Sequence, residues 1–326
     1  MSLRTAAPMP REAAARLRDR LRLHTAGLSP AVRALLWAAA SGAIFCVLNA
    51  LMRVLAQQLP PMQVQFLRYV FGLAVLLPLL LRAGLAAYRP KSPWGQLARG
   101  GVHTLGLVLW FLALPHIPLA DTTALGFTGP LFIMVGAYLW LKEPMHWDRW
   151  VATFIGLFGV LIVMGPKLSG SGGGYHLLML ASAPVYAASF LITKMLTRTE
   201  TTGVIVFWQA LSVTVLSLPM ALWVWQWPGA WQWASFVVCG ALGSGAHYCL
   251  TRSFRNADIS STQSVKFLDL VWSGALGWLL FADVPAQTTL LGGAVICTAT
   301  LWVARREQQR EKKGKQKRAA PADAGP

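Results

Sequence analysis

Lys266 and Asp269 stand three residues apart in an otherwise apolar run, so on a helix they share one face and can reach one another. A charge near the centre of a bilayer costs roughly 2.5–3.5 kcal/mol even on lenient insertion scales, which makes embedded ionisable groups candidate functional positions. Two chemistries fit this pair. It could orient a polar or zwitterionic solute, with protonation of Asp269 coupling movement to a proton gradient, or it could be a self-satisfied ion pair that locks helix packing. Asn49, Arg68, Trp110, Tyr186, Trp208, Gln209, His247 and Tyr248 also lie inside apolar runs. Unpaired hydrogen-bonding groups are expensive there, so some of these must face one another or a wet cavity. Arg68 either snorkels to the headgroups or forms an outer gate with a solute or Asp121. Arg53 reads as an interfacial anchor, and His103 and His146 as solvated groups near a membrane surface.

The elements that must position these groups are membrane spans. With 55% hydrophobic and 13% charged residues and a mean hydropathy of +0.50, the chain cannot cover its own surface with polar groups. Ten apolar stretches approach the roughly 20 helical residues that a bilayer core requires: 34–56, 63–81, 97–114, 119–141, 149–166, 174–195, 203–224, 232–253, 259–281 and 287–304. Arg82, Arg89, Lys91, Arg99, Lys142, Arg149, Lys194, Arg198, Arg252 and Arg255 fall in or beside alternate connections. The opposite connections carry only Lys167, so both tails are expected in the cytoplasm. Trp223, Trp225, Trp227, Trp231 and Trp233 read as an interfacial belt.

A net charge of +17 does not point to nucleic acid, because the cations cluster in the tails and short connections. Residues 1–30 form a basic segment that reads as a helix lying on an anionic membrane surface, as a frayed tail, or less well as a transit peptide. Residues 305–326 read as a basic disordered tail. Cys46, Cys239, Cys249 and Cys297 lack paired spacing and read as buried hydrophobes, with no metal site or cofactor expected. There is no His-Glu-x-x-His, no Gly-x-Ser-x-Gly and no phosphate-binding loop, which argues against an intramembrane enzyme or an ATP-driven pump.

The chain also repeats itself. Phe66-Leu67-Arg68 recurs 141 positions on as Phe207-Trp208-Gln209, and Arg53 recurs as Lys194. Phe127 recurs 140 positions on as Phe267, and the Glu143-Pro144 corner as Asp283-Val284-Pro285. The halves are 31–167 and 168–304, joined through the flexible Ser-Gly-Ser-Gly-Gly-Gly run. Five spans per copy force the second to enter the bilayer inverted, the arrangement typical of carriers.

Three stretches carry a family resemblance: Phe111 to Ala120, then Gly129-Pro130, then Leu141-Lys142-Glu143-Pro144. They resemble the signature of EamA-type carriers in the drug/metabolite transporter superfamily. Small residues nine and sixteen positions after Glu143 and Asp283 match it as well. The resemblance implies an all-α membrane protein of ten transmembrane helices in two inverted five-helix repeats. It further implies a cavity lined by spans one, three, four, six, eight and nine, and alternating-access movement of a small polar metabolite across a bacterial inner membrane. The candidates are an amino acid, a nucleoside-like compound, a vitamin or an organic cation, with protons as a candidate coupling ion. A non-transporting scaffold or receptor would leave the duplication and the embedded charges unexplained.

Asn49, Trp110, Tyr186, His247 and Tyr248 rank high because their spans line that cavity. Lys266 and Asp269 correspond to Gly126 and Gly129 in the first copy, so small residues would face a charged pair across a polar pocket. Pro130 would loosen span four and free carbonyls toward that pocket. The pathway set is therefore Asn49, Arg68, Trp110, Phe127, Pro130, Tyr186, His247, Tyr248, Lys266 and Asp269. Leu270 in place of a second Pro130, and Ser264-Val265-Lys266-Phe267 in place of the expected Pro-Phe-Asp-Tyr-like stretch, depart from the family pattern.

Overall fold

A computed structural model describes residues 30–126, 128–142, 147, 151, 154–155, 158–159, 161–162, 173–259, 262, 268–282, 284 and 286–319. The helices are α1 Pro30–Ala56, α2 Pro61–Ala83, α3 Pro93–Ala113, α4 Leu119–Gly126, α5 Thr128–Leu141, α6 Gly173–Leu196, α7 Thr202–Trp223, α8 Ala230–Asn256, α9 Leu268–Phe281 and α10 Gln287–Ala319. Short 3₁₀ turns at Leu85–Tyr88 and Leu114–His116 join them. No strand occurs among the described residues. Five helices, Val32–Ala56, Pro61–Ala83, Pro93–His116, Gly173–Leu196 and Thr202–Trp223, are long and apolar enough to cross a bilayer. The described residues of the expected fifth span are helical, with Phe154, Phe158 and Leu161 exposed on the outside.

Local chemistry sets the helix starts. Pro61 and Pro93 occupy first turns, where a missing N–H costs nothing. Thr201 caps α7 by accepting from the Val204 N–H. The expected span over 119–141 is helical on both sides of Phe127, as α4 and α5. Pro130, near the start of α5, has no N–H to give the Gly126 carbonyl, so one rung of the hydrogen-bond ladder is missing there. Phe127 itself lies outside the described residues, as do the Pro166–Gly174 linker apart from its last two residues, Glu143, Pro144, His146, Asp283, Pro285 and the N-terminal segment. The C-terminal run, expected to be disordered, instead continues α10 to Ala319. Its Lys, Arg, Gln and Glu are good helix formers and extend a helix already nucleated inside the bundle.

Hydrogen bonds at the two ends of the bundle fix the direction of each repeat. Gln58, just past α1, accepts from Gln232 at the start of α8. Gln63 at the start of α2 exchanges bonds with the peptide of Gln226 after α7. At the other end, Glu200 after α6 accepts from the Lys91 and Ser92 N–H groups at the start of α3, where a carboxylate also suits the helix dipole. Lys194 near the end of α6 donates to Phe254 and Ala257 carbonyls at the end of α8. So α1 ends where α6 begins, and the repeats are antiparallel.

The packing obeys the same symmetry. The α1–α8 pair has its mate in α6–α3, α2–α8 in α7–α3, and α1–α9 in α6–α5, while α2 packs on α7 across the axis. Gly100 on α3 lies so close to Ser212 that a Cβ there would collide with its side chain, and its repeat mate Gly240 on α8 does the same against Phe71. Phe71 and Ser212 are themselves 141 positions apart. Lys142 (φ 55) and Ala282 (φ 52), mates at a spacing of 140, end α5 and α9 in the left-handed region, which costs a residue bearing Cβ about 1–2 kcal/mol.

Three surface expectations change. Trp223, Trp227 and Trp231 are exposed as a belt requires, but Trp225 and Trp233 pack against Phe66 and Phe71. Arg53 is buried with its guanidinium 4.3 Å from the Phe281 ring, so it is held inside the bundle and is no interfacial anchor. Arg99, expected among the connection charges, is buried within α3 because that helix begins at Pro93.

Candidate functional site

Between the repeats lies a chamber of about 240 Å³. Its wall comes from α1, α3, α4, α5, α6, α8 and α9, with Arg68 and Tyr69 added by α2. Asn49, Arg68, Trp110, Tyr186, His247 and Asp269 all line it. Tyr248 does not: it is 40% exposed and meets Trp37 edge-on at 6.3 Å. It follows His247 by 100° of helical rotation, so the two cannot share a face. Pro130 is buried outside the wall, while Gly126 and Gly129 beside it line the chamber with open space where a side chain would begin. Phe127 and Lys266 lie outside the described residues.

Close approaches made possible by missing side chains set the aromatic wall. Gly106 lets the Tyr186 ring lie against α3, where a Cβ would stand 3.2 Å from the ring. Tyr186 meets His103 at 5.3 Å and stacks on Phe190 at 6.1 Å. Across the axis Phe45, the mate of Tyr186, meets His247 at 5.0 Å, and the two imidazoles are 5.2 Å apart. Asp269 is pressed against Gly42 of α1, where any Cβ would collide with its Oδ1, and the Cys46 thiol donates to its carbonyl at 3.6 Å.

The chamber floor is a hydrogen-bonded polar belt. The Tyr69 hydroxyl bonds His103 Nε2 at 3.1 Å, and His103 Nδ1 bonds Ser189 Oγ at 3.1 Å. Gln209 Nε2 lies 3.2 Å from His247 Nε2. Arg99, 1% exposed, donates to Thr193 Oγ1, to the Ile205 carbonyl at 2.8 Å and to Gln209 Oε1. His103 is thus buried at the centre and not solvated. Its bonds to α2 and α6 pull it inward, and the Ser92-Pro93 start signal of α3 already placed it nearly three turns into a helix. Tyr69, Ser189 and Arg99 carried no distinguishing sequence signal beyond polarity.

Arg68 is the exception to this satisfied network. It is 5% exposed, its guanidinium carbon sits 4.0 Å over the Tyr69 ring, and Nη1 is buried without a hydrogen-bond partner. It neither snorkels nor reaches Asp121. That carboxylate accepts instead from Thr289 at 2.7 Å and pairs with His176 at 3.3 Å, closing one end of the bundle at the starts of α4, α6 and α10. Gly243 provides the room for Arg68, since a Cβ there would stand 2.6 Å from Nη2. Gly243→Ala is expected to keep the fold within about 1 kcal/mol, because the obstacle is a flexible side-chain tip. Displacement of the guanidinium should appear as faster phenylglyoxal labelling of Arg68, read by peptide mass spectrometry.

Among the described residues no three of His, Cys, Asp and Glu converge to hold a metal ion. The chamber offers stacking surfaces, neutral hydrogen-bonding groups, one arginine and one described carboxylate.

The profile of the EamA-like transporter family matches residues 32–165 and 174–305. A riboflavin transporter of Rhizobium johnstonii is 36% identical over 87% of this chain and 95% of its own length. An S-adenosylmethionine uptake transporter of Rickettsia felis is 28% identical over 78% of this chain and 86% of its own. A pseudopaline exporter of Pseudomonas aeruginosa is 27% identical over 80% of this chain and 92% of its own. A solved crystal structure, 21% identical, shares the fold with a TM-score of 0.64 over 84% of this chain and 98% of that one.

Proposed function

The chain belongs to the EamA-like transporter family, and from that premise we propose that it carries a planar heteroaromatic metabolite of the riboflavin type through the central chamber by alternating access. It is a multi-pass membrane transporter of small metabolites and not an enzyme. The observation that carries the substrate reading is the wall itself: Phe45, Tyr69, Trp110, Phe111, Tyr186 and Phe190 surround neutral polar groups such as Asn49 and Ser182. Aromatic faces hold flat heterocycles by offset or edge contacts worth about 0.5–1.5 kcal/mol each beyond area burial. The 36% identical riboflavin transporter supports the same class.

The antiparallel repeats supply the mechanism. Two halves with equivalent packing can exchange roles about one midplane site, so the chamber opens to either side in turn. The Asp121–His176–Thr289 cluster is the closed gate at one end. The termini are cytoplasmic and the membrane is the bacterial inner membrane, in keeping with the exposed Arg82, Arg89 and Lys91 at the end where α3 begins. Asp269 is the coupling carboxylate, held at the α1–α9 contact where protonation changes the charge the chamber presents to an empty or loaded cycle.

Proteoliposomes test both parts. Riboflavin flux is expected above the protein-free background and faster under an imposed pH gradient. Asp269→Asn should still bind riboflavin but lose the acceleration. Absence of flavin movement overturns the substrate class, and flux indifferent to the gradient overturns the coupling.

A further inference from the structure

We propose that Arg68 is an oxyanion subsite, so that the chamber takes a planar aromatic solute carrying a carboxylate or phosphate. This rests on the reading of the chamber as the transport site. Two buried arginines border the polar belt at the centre of the bundle, and they are treated in opposite ways. Arg99 has its donors taken up by Thr193, Ile205 and Gln209. Arg68, on the neighbouring helix, makes no hydrogen bond to the protein and has no carboxylate within ion-pair distance among the described residues.

Burying a guanidinium N–H with no partner is costly, and Nη1 of Arg68 is so placed. A chain that satisfies Arg99 so fully has the means to satisfy Arg68 and does not. The position also faces open space on two sides. Arg68 lines the chamber and, on its other flank, a void of about 10 Å³ bounded by Gly72, Gln209, Gly240, Gly243, Ser244 and His247. That is room for about one water molecule. The Tyr69 ring below and Gly243 behind fix the guanidinium without consuming its N–H groups.

A planar fork of this kind matches carboxylate and phosphate oxygens bidentately. Aromatic rings bordering the same wall then place the flat body of the solute beside its charged group. Asp269, the described carboxylate of the chamber, lies on α9 and does not pair with Arg68. A solute oxyanion therefore brings the missing counter-charge.

The test uses the purified full-length protein in detergent and pairs of solutes that differ in one charged group: riboflavin against riboflavin 5′-phosphate, and nicotinamide against nicotinate. Binding is read by thermal shift at low and high salt. The oxyanion member is expected to bind about tenfold tighter or better, with the preference shrinking as salt rises. Arg68→Gln should equalise the pair, and Arg68→Lys should keep part of the preference. Gly243→Ala, which displaces the guanidinium without removing it, serves if the glutamine variant does not fold, and it should also erase the preference.

If nicotinate discriminates while both flavins are silent, the flavin reading of the chamber falls and the subsite stands. The phosphate and carboxylate arms identify which oxyanion fits. Equal binding within both pairs, failure of every oxyanion to bind, or a preference that survives in Arg68→Gln overturns the proposal.

Discussion

Replacing Arg99 with methionine is expected to destabilise the protein by about 3–5 kcal/mol, read as a shift of equilibrium unfolding in mixed micelles. The side chain is 1% exposed and serves acceptors on two other helices, Thr193 of α6 and both Ile205 and Gln209 of α7. Methionine fills much of the volume, so the loss is chiefly polar. Each buried acceptor left without its donor costs about 1–3 kcal/mol, and part of that is returned because a buried charge has been removed. Lysine is the informative control. It keeps the charge but has one nitrogen to reach three acceptors that a guanidinium reaches at once. Arg99→Lys should therefore fall between wild type and methionine. A methionine variant within about 1 kcal/mol of wild type would mean that the belt is hydrated and not structural.

Gln209 extends the consequence to the chamber. It holds Arg99 with one end of its amide and His247 with the other, so losing Arg99 frees the group that positions a chamber-lining imidazole. The sequence placed Gln209 inside a span and left interhelical packing as the default. In the folded protein, packing and site geometry are the same bond network.

Legibility follows from what each residue's signal depends on. The repeat was readable because hydrophobic runs and the acidic corners are local in the chain, and inversion follows from an odd number of spans. Which face of a helix looks inward is set by partners far along the chain. Tyr248 was nominated beside His247 because polarity alone ranks adjacent residues equally, and only the α1–α8 packing separates them. His103 was read as solvated because its partners, Tyr69 and Ser189, come from other helices. For Arg68 the sequence leaves both snorkelling and an outer gate open, because a long cation can reach either. Here Tyr69 and the gap at Gly243 hold it inside.

The scaffold is symmetric while its chemistry is not. Arg68 has Gln209 as its repeat mate, and His103 has Gly243. The absent side chain at 243 makes room for the guanidinium on one side of the axis, and the imidazole at 103 fills the matching space on the other. Equivalent backbones thus let the halves exchange packing, and unequal side chains give the solute a polar end and an aromatic end. A carrier needs both properties: near-equal energies for its two openings and an orientation for its cargo.

That symmetry of backbone can be tested at the two glycines that define it. Gly240→Ala and its repeat mate Gly100→Ala are both expected to be damaging, but only Gly100→Ala can be rescued by a truncation across the crossing. At Gly240 the new Cβ would collide with the Phe71 carbonyl carbon and stand 2.6 Å from the Gly72 nitrogen, so the obstacle is backbone and α8 must move away from α2. Overpacking of this kind typically costs about 1–3 kcal/mol and occasionally more. Separating α8 from α2 would also strain the Ser244 bond to the Gly72 carbonyl and widen the seat of Arg68. At Gly100 the obstacle is the Ser212 side chain, whose Cβ is nearer still than the Oγ at 2.7 Å, so no rotamer change clears it. The pair Gly100→Ala with Ser212→Gly should therefore recover stability, since it moves one methyl-sized group across the crossing. No side-chain truncation on α2 should rescue Gly240→Ala, because Phe71→Gly leaves the blocking carbonyl in place. Unfolding midpoints of the four variants decide the matter. If Gly240→Ala were as stable as wild type, or were rescued from α2, the tight α2–α8 contact could not be the fixed shoulder against which the chamber is built.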